Sequence, residues 1–310
     1  MRIALVINTA SGSVGAGAAP EAIRARLAAA GIEALGEADR GASLPARIAA
    51  AVAEPGIDAV VVAGGDGTVA CAAAALVGHA TPLGILPLGT MNLLAKDLGL
   101  PLDLDGAIAN LVAGVRRPID VGDVNGRSFV INSVLGMPAR VARHREAHRE
   151  RRAFRTLLRW AIGMLRHLGR YPRLTVTGLI DGTARRLRVR LMAVVVGDYV
   201  ERPGQVLLRA PIDAGRLTLY VLADLSVWRS LRLALGFALG DWRRLPEVER
   251  LPVSDLTIGS RRQALQVMND GEVLLIPTPL RYRIRRHALT VIVPRTDEAG
   301  PRFEGGIGGT

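Results

Sequence analysis

The chain is poor in cysteine and has no long apolar run, and both shortages restrict what it can be. Its 310 residues include one cysteine, Cys71, so an internal disulfide and a cysteine-based metal centre are excluded. No stretch reaches the roughly 18 uninterrupted apolar residues of a membrane-spanning helix, and residues 1–8 are too short for a secretion signal. We therefore expect a cytoplasmic protein whose membrane contacts are peripheral.

Lysine is equally scarce, and its position excludes a familiar phosphate motif. Lys96 is the only lysine, and it lies far from the glycine cluster that begins at Gly64. That cluster lacks the Lys-Ser/Thr ending of a P-loop, and its spacing differs from the dinucleotide-binding fingerprint. A Walker-type ATPase is therefore excluded.

The remaining composition is that of a folded, basic protein. Hydrophobic residues make up 49% of the chain and charged residues 22%, which is typical of globular proteins. A single core stops growing near roughly 250 to 300 residues, so the length predicts two domains. The net charge of +12 predicts an acidic partner, and residues 140–173 carry most of it, with eleven arginines and two glutamates.

Residues 1–118 have the pattern of an α/β domain. Apolar runs predict buried strands at residues 3–7, 58–63 and 83–86. Helical periodicity predicts helices at residues 20–30, 46–53 and 69–77. Strands that are apolar on both faces and alternate with helices imply a parallel sheet covered on both sides.

After Pro118 the pattern changes to shorter, alternating segments. Antiparallel strands are predicted at 187–196, 216–222, 264–268, 280–285 and 289–293. We expect a β-rich domain over residues 119–295, with a helical insertion at 140–170, and a mobile tail over residues 296–310.

The glycine cluster follows the second apolar strand and opens a helix. It consists of Gly64, Gly65, Asp66, Gly67 and Thr68. Glycine lets the backbone approach a phosphate, and the first helical amides hold negative charge. An ordinary tight turn explains the glycines as well, but an acid at Asp66 repels phosphate unless it holds Mg²⁺ or takes a proton. The cluster therefore predicts a phosphate site.

A second turn follows the strand at 83–86. Gly89, Thr90 and Asn92 provide a glycine and two hydrogen-bonding side chains at the start of a helix, where capping is the simpler role. Two such loops at adjacent strand ends nevertheless define a crevice at the carboxyl edge of a parallel sheet, where ligands bind.

These segments resemble the catalytic domain of the diacylglycerol kinase family, which includes sphingosine kinases and bacterial soluble lipid kinases. The resemblance rests on residues 64–68, the Pro-Leu-Gly-Thr-x-Asn element at 87–92, the loop at 8–12, the junction at 117–122 and the acidic motif at 270–272. It covers residues 2–294. It implies an N-terminal nucleotide-binding domain with a parallel sheet, a C-terminal antiparallel β-sandwich domain, and ATP in the cleft.

The resemblance also implies roles for individual residues. Contacts with ATP are implied for Asn8, Ser11, Gly64, Gly65, Asp66, Gly67, Thr68, Gly89, Thr90 and Asn92. Asp270 or Glu272 is implied as the general base for a lipid hydroxyl, although an Asp-Gly pair is also a common surface turn. Asp66 is the rival base or a Mg²⁺ ligand, and Asp120 is a further acid near the metal. Ala214 replaces an acid that the family usually has, which argues against a structural Mg²⁺ at that turn.

Residues 151–168 predict an amphipathic, arginine-rich helix. The apolar residues at helical spacing are Phe154, Leu157, Leu158, Ala161, Ile162, Leu165 and Leu168. Such a helix either packs on its own domain with a solvated basic face or docks on anionic lipid, where each basic residue contributes on the order of 1 kcal/mol. Few aromatic residues and no recognised nucleic-acid-binding fold argue against nucleic acid.

Three functions are therefore compared. An ATP- and Mg²⁺-dependent kinase of diacylglycerol or a related membrane lipid explains the loops, the acids and the basic helix. A small-molecule kinase resembling NAD kinase shares the glycine cluster but explains neither residues 86–92 nor the helix. A non-catalytic basic module would not need Asp66, Asp270 and Glu272. We predict the lipid kinase, bound peripherally to anionic membranes, and an oligomer is compatible with the sequence.

Reversing the charge of Arg151, Arg155 and Arg159 to Glu is expected to weaken binding to anionic liposomes. The apparent KM for bilayer lipid should rise, whereas turnover of a short-chain, water-soluble acceptor should stay near normal. Added salt should mimic the variant, because the Debye length is about 10 Å at 0.1 M. Sedimentation with liposomes measures the effect, and unchanged binding would assign the helix to the fold alone.

Overall fold

A computed structural model describes most of the chain. It covers residues 1–8, 19–36, 41–136, 174–200, 208–209, 211–222, 245–246 and 248–295, with Arg232 and Gly236. The helices in these ranges are Pro20–Ala29 (α1), Leu44–Ala53 (α2), Asp66–Leu76 (α3), Leu93–Asp97 (α4) and Leu104–Ala113 (α5).

The strands of the described residues form two sheets. In chain order they are Arg2–Ile7 (β1), Glu33–Leu35 (β2), Ala59–Gly64 (β3), Leu83–Pro87 (β4), Val115–Val124 (β5), Arg127–Phe129 (β6), Asn132–Gly136 (β7), Leu174–Ile180 (β8), Thr183–Val189 (β9), Leu191–Val196 (β10), Leu217–Leu222 (β11), Val248–Val253 (β12), Leu256–Gly259 (β13), Ala264–Asn269 (β14), Glu272–Pro277 (β15) and Leu280–Val293 (β16).

Four parallel strands, in the order β2-β1-β3-β4, begin the first sheet. Alternate residues of β1 point to opposite faces, so that Ile3 and Leu5 pack towards α1 and α5, while Ala4 and Val6 pack towards α2 and α3. Both faces are thus covered by helices, which explains why β1, β3 and β4 are apolar throughout. The predicted α/β layer with a parallel sheet is confirmed.

The same sheet continues into an antiparallel part. β16 lies beside β4 and β13, and β5 pairs with β16 along its length. β8, β9 and β6 extend this part. The predicted boundary at Pro118 stays a prediction, and Pro118 lies inside β5.

A second sheet is antiparallel and has the order β12-β11-β10-β7-β14-β15. Its inner face, with Met192, Val194 and Leu219, packs on Phe129, Leu256 and Tyr282 of the first sheet. This arrangement confirms the antiparallel β-sandwich of the predicted fold class.

Two strand predictions are wrong in detail. Residues 187–196 were expected to form one strand, but the chain changes sheets at Arg190: β9 pairs with β8 in the first sheet, and β10 pairs with β7 and β11 in the second. Residues 280–285 and 289–293 were expected to form two strands, but they are the two parts of β16. The strand has an irregularity between Arg285 and Leu289, where His287 has a positive φ of 49°.

Two predicted features lie outside the described residues. They are the arginine-rich helix at 151–168, with the insertion at 140–170, and the tail at 296–310. Within the described ranges, no helix combines the length and the apolar character that crossing a membrane requires.

Candidate functional site

The glycine cluster joins β3 to α3. The helix begins at Asp66 rather than at the predicted residue 69, because the amides of Thr68 and Val69 already donate to the Gly65 carbonyl at 2.9 and 3.1 Å. A Cβ at Gly64 would lie 2.6 Å from Thr68 Oγ1, so this position requires glycine. Asp66 and Thr68 therefore belong to the first helical turn, where amides and the helix dipole favour an anion.

Asn8 connects the end of β1 to this turn. Its Nδ2 donates to Thr68 Oγ1 at 2.8 Å, and its backbone amide donates to the Ala63 carbonyl at 2.9 Å. The structure thus brings two predicted nucleotide residues, Asn8 and Thr68, into direct contact. Ser11 lies outside the described residues.

The loop after β4 lies against the glycine cluster. A Cβ at Gly89 would lie 2.6 Å from the Gly65 Cα, so the two loops approach each other as closely as glycine allows. Asn92 has a positive φ of 48°, and its side-chain amide both donates to and accepts from the backbone of Gly89 at 2.9 Å. Asn92 therefore shapes the loop, whereas Thr90 is exposed at its tip.

The Asp66 carboxylate holds the two loops together. Its oxygens accept the amides of Asn92 at 3.0 Å and Leu93 at 2.6 Å, at the start of α4. A carboxylate offers about four lone-pair sites, so these bonds leave capacity for a cation. Asp66 is partly exposed, and it can position the loop and bind a metal at the same time.

The acidic motif forms the hairpin turn between β14 and β15. Asp270 and Gly271 both have positive φ values, 46° and 92°, which is the geometry favoured for a two-residue Asp-Gly turn. The Asp270 carboxylate points into the protein rather than to solvent. It accepts hydrogen bonds from the backbone amides of Val130, Ile131 and Asn132 at 2.7, 2.8 and 3.0 Å.

These three bonds fix the Asp270 carboxylate. Burial raises the pKa of the Asp270 carboxyl, while the three amides and Arg209 oppose that rise. A carboxylate that holds three backbone amides stabilises the backbone around it, and it has little capacity left to take a substrate proton.

Glu272, two residues further, is exposed and accepts no hydrogen bond from any described residue. It lies near α3, because its charge, after burial, is a cause of the raised pKa of the Cys71 thiol. α3 also contacts β6, and Val130, the residue after β6, donates to Asp270 of the hairpin. Among the three predicted catalytic acids, Glu272 is the one whose carboxylate accepts no hydrogen bond within the part of the chain that the structure describes.

Asp120 lies on β5. It is buried, and its oxygens accept the amides of Gly215 at 2.5 Å and His287 at 2.9 Å. It thus fixes the irregularity of β16 and the turn that contains Ala214. Its role as a metal ligand stays a prediction, and the described residues contain no group of three or more His, Cys, Asp or Glu side chains that could hold a metal.

A buried ion pair is the feature that the sequence patterns do not reveal. Asp97, the last residue of α4, pairs with Arg209 across 112 residues of chain, with Nη2 to Oδ2 at 2.6 Å. The two side chains are 1% and 0% exposed. An acid near the end of a helix and an arginine in a loop carry no local signal of their pairing, because the contact is created by the tertiary fold.

Comparisons with known proteins agree with this arrangement. The chain matches the diacylglycerol kinase catalytic domain over residues 2–124 and the YegS C-terminal NAD kinase beta sandwich-like domain over residues 132–293. A diacylglycerol kinase from Mycobacterium tuberculosis is 32% identical over 254 residues, which is 80% of each chain.

Other similarities are more local or concern the fold. A probable lipid kinase YegS-like from Citrobacter koseri is 41% identical over 85 residues, so the matched part spans 26% of this chain and 28% of that relative. A crystal structure of a diacylglycerol kinase from Bacillus anthracis has a TM-score of 0.70 at 20% identity, covering 95% of this chain and 97% of that one. The latter shows a shared fold.

Asp270→Asn is expected to lower the free energy of unfolding by about 1–3 kcal/mol. The asparagine NH₂ group is a hydrogen-bond donor, and it would face backbone amides that now donate to the carboxylate. Urea denaturation measures the loss. Asp123→Asn is the control: its Oδ1 accepts one amide, that of Gly126, in an exposed turn, so the change should stay within about 0.5 kcal/mol. Equal stability of the Asp270 variant and the unsubstituted protein would contradict a structural role for this carboxylate.

Proposed function

The chain belongs to the diacylglycerol kinase catalytic domain family, and from this premise we propose that it transfers the γ-phosphoryl group of ATP to a hydroxyl of diacylglycerol or a related membrane lipid. The observation that carries the proposal is the approach of two elements. The glycine loops after β3 and β4 lie against each other at the first turn of α3, where helical amides suit phosphate. α3 also contacts β6, and Val130, the residue after β6, donates to Asp270 of the hairpin that bears Glu272.

The residues divide the work of phosphoryl transfer. The turn from Gly64 to Thr68 binds the phosphates through backbone amides and the hydroxyl of Thr68, and Asn8 orients that hydroxyl. Glu272 accepts the proton of the acceptor hydroxyl. At the same time the hydroxyl oxygen forms a bond to the γ-phosphorus, and the bond between that phosphorus and the departing ADP oxygen breaks. Asp270 holds the hairpin, as its three amide contacts indicate.

Magnesium fits this site as an ion shared with the nucleotide. Mg²⁺ is usually bound in kinases by one or two carboxylates together with substrate phosphates, and Asp66 is the acid with remaining lone pairs at the phosphate loop. When bound, the ion would neutralise charge on the transferred group. Asp120 also accepts two backbone amides, but it is only 2% exposed, whereas Asp66 is partly exposed. We therefore assign the ion to Asp66 and give Asp120 a role in holding the fold.

The acceptor class rests on the relatives and on charge. The Mycobacterium tuberculosis relative is named a diacylglycerol kinase and the Citrobacter koseri relative a probable lipid kinase. Residues 140–173, with eleven arginines and two glutamates, would attract anionic lipid headgroups. Peripheral association with a membrane is part of the proposal.

Labelled ATP, incubated with the protein and single acceptors, tests the proposed function. Diacylglycerol in mixed micelles is expected to become phosphorylated, while NAD and a reaction without acceptor should stay unlabelled. Chelation of Mg²⁺ is expected to abolish transfer. Labelling of NAD alone would replace the proposal with a small-molecule kinase, and no labelling of any acceptor would favour a non-catalytic module.

Glu272→Gln is expected to lower kcat by about 10²- to 10⁴-fold, the range that general-base catalysis contributes. Thermal stability should change little, because Glu272 is exposed and accepts no hydrogen bond from a described residue. Glu249→Gln is the matched control, since Glu249 is an exposed acid paired with Arg185 on the sandwich. A fully active Glu272 variant would exclude this residue as the base.

The same assay separates Glu272 from Asp66. Asp66→Asn keeps size and one acceptor oxygen, but it removes the charge that faces the nucleotide and weakens one of the two bonds to Asn92 and Leu93. We expect transfer to be abolished while the protein remains folded, as checked by circular dichroism. Turnover near that of the unsubstituted protein would contradict the assignment of Asp66.

A further inference from the structure

The buried ion pair between Asp97 and Arg209 contacts two parts of the candidate site. One part is α4, which follows the Gly89 loop, and the other is the backbone that binds the Asp270 hairpin. Arg209 donates its Nε and Nη2 to Asp97 Oδ2 at 2.9 and 2.6 Å, and its backbone amide to Oδ1 at 2.8 Å. Every hydrogen bond that the Asp97 carboxylate accepts from the described residues therefore comes from Arg209. Burial raises the pKa of the Asp97 carboxyl, and the charge of Arg209 opposes that rise.

On one side, the pair holds α4. This helix has five residues, with Asp97 at its end and Leu93 at its beginning. Asp66 accepts the Leu93 amide at the first turn, and Arg209 binds Asp97 at the last. The segment that follows the Gly89 loop is thus fixed at both ends, by the glycine cluster and by Arg209.

On the other side, Arg209 holds the backbone to which the acidic hairpin is attached. Its Nη1 donates to the carbonyls of Val130 at 2.7 Å, Ile131 at 3.2 Å and Val196 at 3.0 Å. The amides of Val130 and Ile131 donate to Asp270. One stretch of backbone therefore lies between Arg209 and Asp270, with carbonyls bound by the arginine and amides bound by the aspartate.

These contacts form one continuous series of hydrogen bonds across the site. It runs from Asp66 through α4 to Asp97, then through Arg209 and residues 130–131 to Asp270, two positions before Glu272. Guanidinium presents five donors in a rigid plane, so it can bind the carboxylate and the carbonyls together, whereas lysine provides a single ammonium point. The geometry requires arginine rather than positive charge alone.

Stability alone explains such a pair poorly. The desolvation of two buried charges offsets most of their attraction, and apolar replacements are often neutral or stabilising. Catalytic groups, in contrast, need to be held within about 0.5 Å of their productive geometry by the residues around them. The contacts of Arg209 with both α4 and residues 130–131 meet that need.

We propose that Asp97 and Arg209 are positioning residues that set the distance between the phosphate-binding loops and the Glu272 hairpin. The inference rests on the proposed kinase function and deepens it. It assigns the alignment of the phosphate-binding loops and the candidate base to a pair whose contacts link the two. Neither residue contacts substrate in this role.

Three variants test the proposal: Arg209→Lys, Asp97→Asn, and the double variant Asp97→Leu/Arg209→Met. Each is expected to lower kcat on the order of 10²-fold, the effect of displacing a reacting group by about 1 Å. The KM for ATP should change less than about threefold, because the glycine cluster keeps its own contacts. The double variant removes the charges together, so it separates loss of alignment from the destabilisation caused by one unpaired charge.

Two controls exclude a general effect of weakened folding. Arg250→Lys makes the same change in another ion pair, in which Arg250 donates from Nε and Nη2 to Asp198 on the second sheet. Leu256→Ala removes a fully buried side chain from the sandwich core. Both should lower the melting temperature while kcat stays within about twofold.

Hydrogen exchange provides a readout that does not depend on turnover. In Arg209→Lys, the amides of Leu93, Val130 and Ile131 should lose protection together, whereas in Arg250→Lys they should keep it. Separate loss at only one of the two segments would overturn the coupling that the contacts imply.

The possible outcomes separate a failure of the proposed kinase function from a failure of the positioning role. An inactive unsubstituted protein overturns the proposed function and with it any role in catalysis. An active protein whose Arg209→Lys variant has full kcat overturns the positioning role only. A loss of kcat that simply follows the melting temperature across all variants, including Leu256→Ala, would assign the pair to folding.

Discussion

Backbone hydrogen bonds on both edges of β16 connect the parallel layer to the sandwich. β5 pairs along one edge, and β13 and β4 share the other. The second sheet, which bears the hairpin between β14 and β15, packs on the sandwich part of this continuous first sheet. The loops after β3 and β4 therefore have a fixed position relative to that hairpin. The site depends on this constraint, since its phosphate-binding residues follow strands of the first sheet and its candidate base lies on the second.

The three acids of the site show why hydrogen-bond partners decide function. The sequence alone leaves Asp66, Asp270 and Glu272 as comparable candidates for the base. In the structure, Asp66 accepts two amides, Asp270 accepts three, and Glu272 accepts none from the described residues. A carboxylate that already satisfies buried backbone donors contributes mainly to shape, and one that remains open can exchange a proton with a ligand.

The parts of the fold that were predictable are those with local causes. The strands β1, β3 and β4 agree with the apolar runs to within one residue at most ends, because strands buried on both faces must be apolar. Glycine marks the turns for a reason that is also local, as the contact of Gly64 with Thr68 illustrates. The change of sheet at Arg190 and the ion pair of Asp97 have tertiary causes, which explains why residue patterns missed them.

The late position of β16 in the chain also affects the order in which the protein can be completed during synthesis. Asn110 of α5 binds the carbonyl of Ile292, 182 residues further along. At 5–20 residues per second, that separation corresponds to about 10 to 40 seconds of translation. During this interval the edge of β4 has no strand beside it, and an open edge is a template for unwanted pairing. In the nascent chain, the edge of β4 that pairs with β16 therefore stays open until the ribosome has delivered that strand.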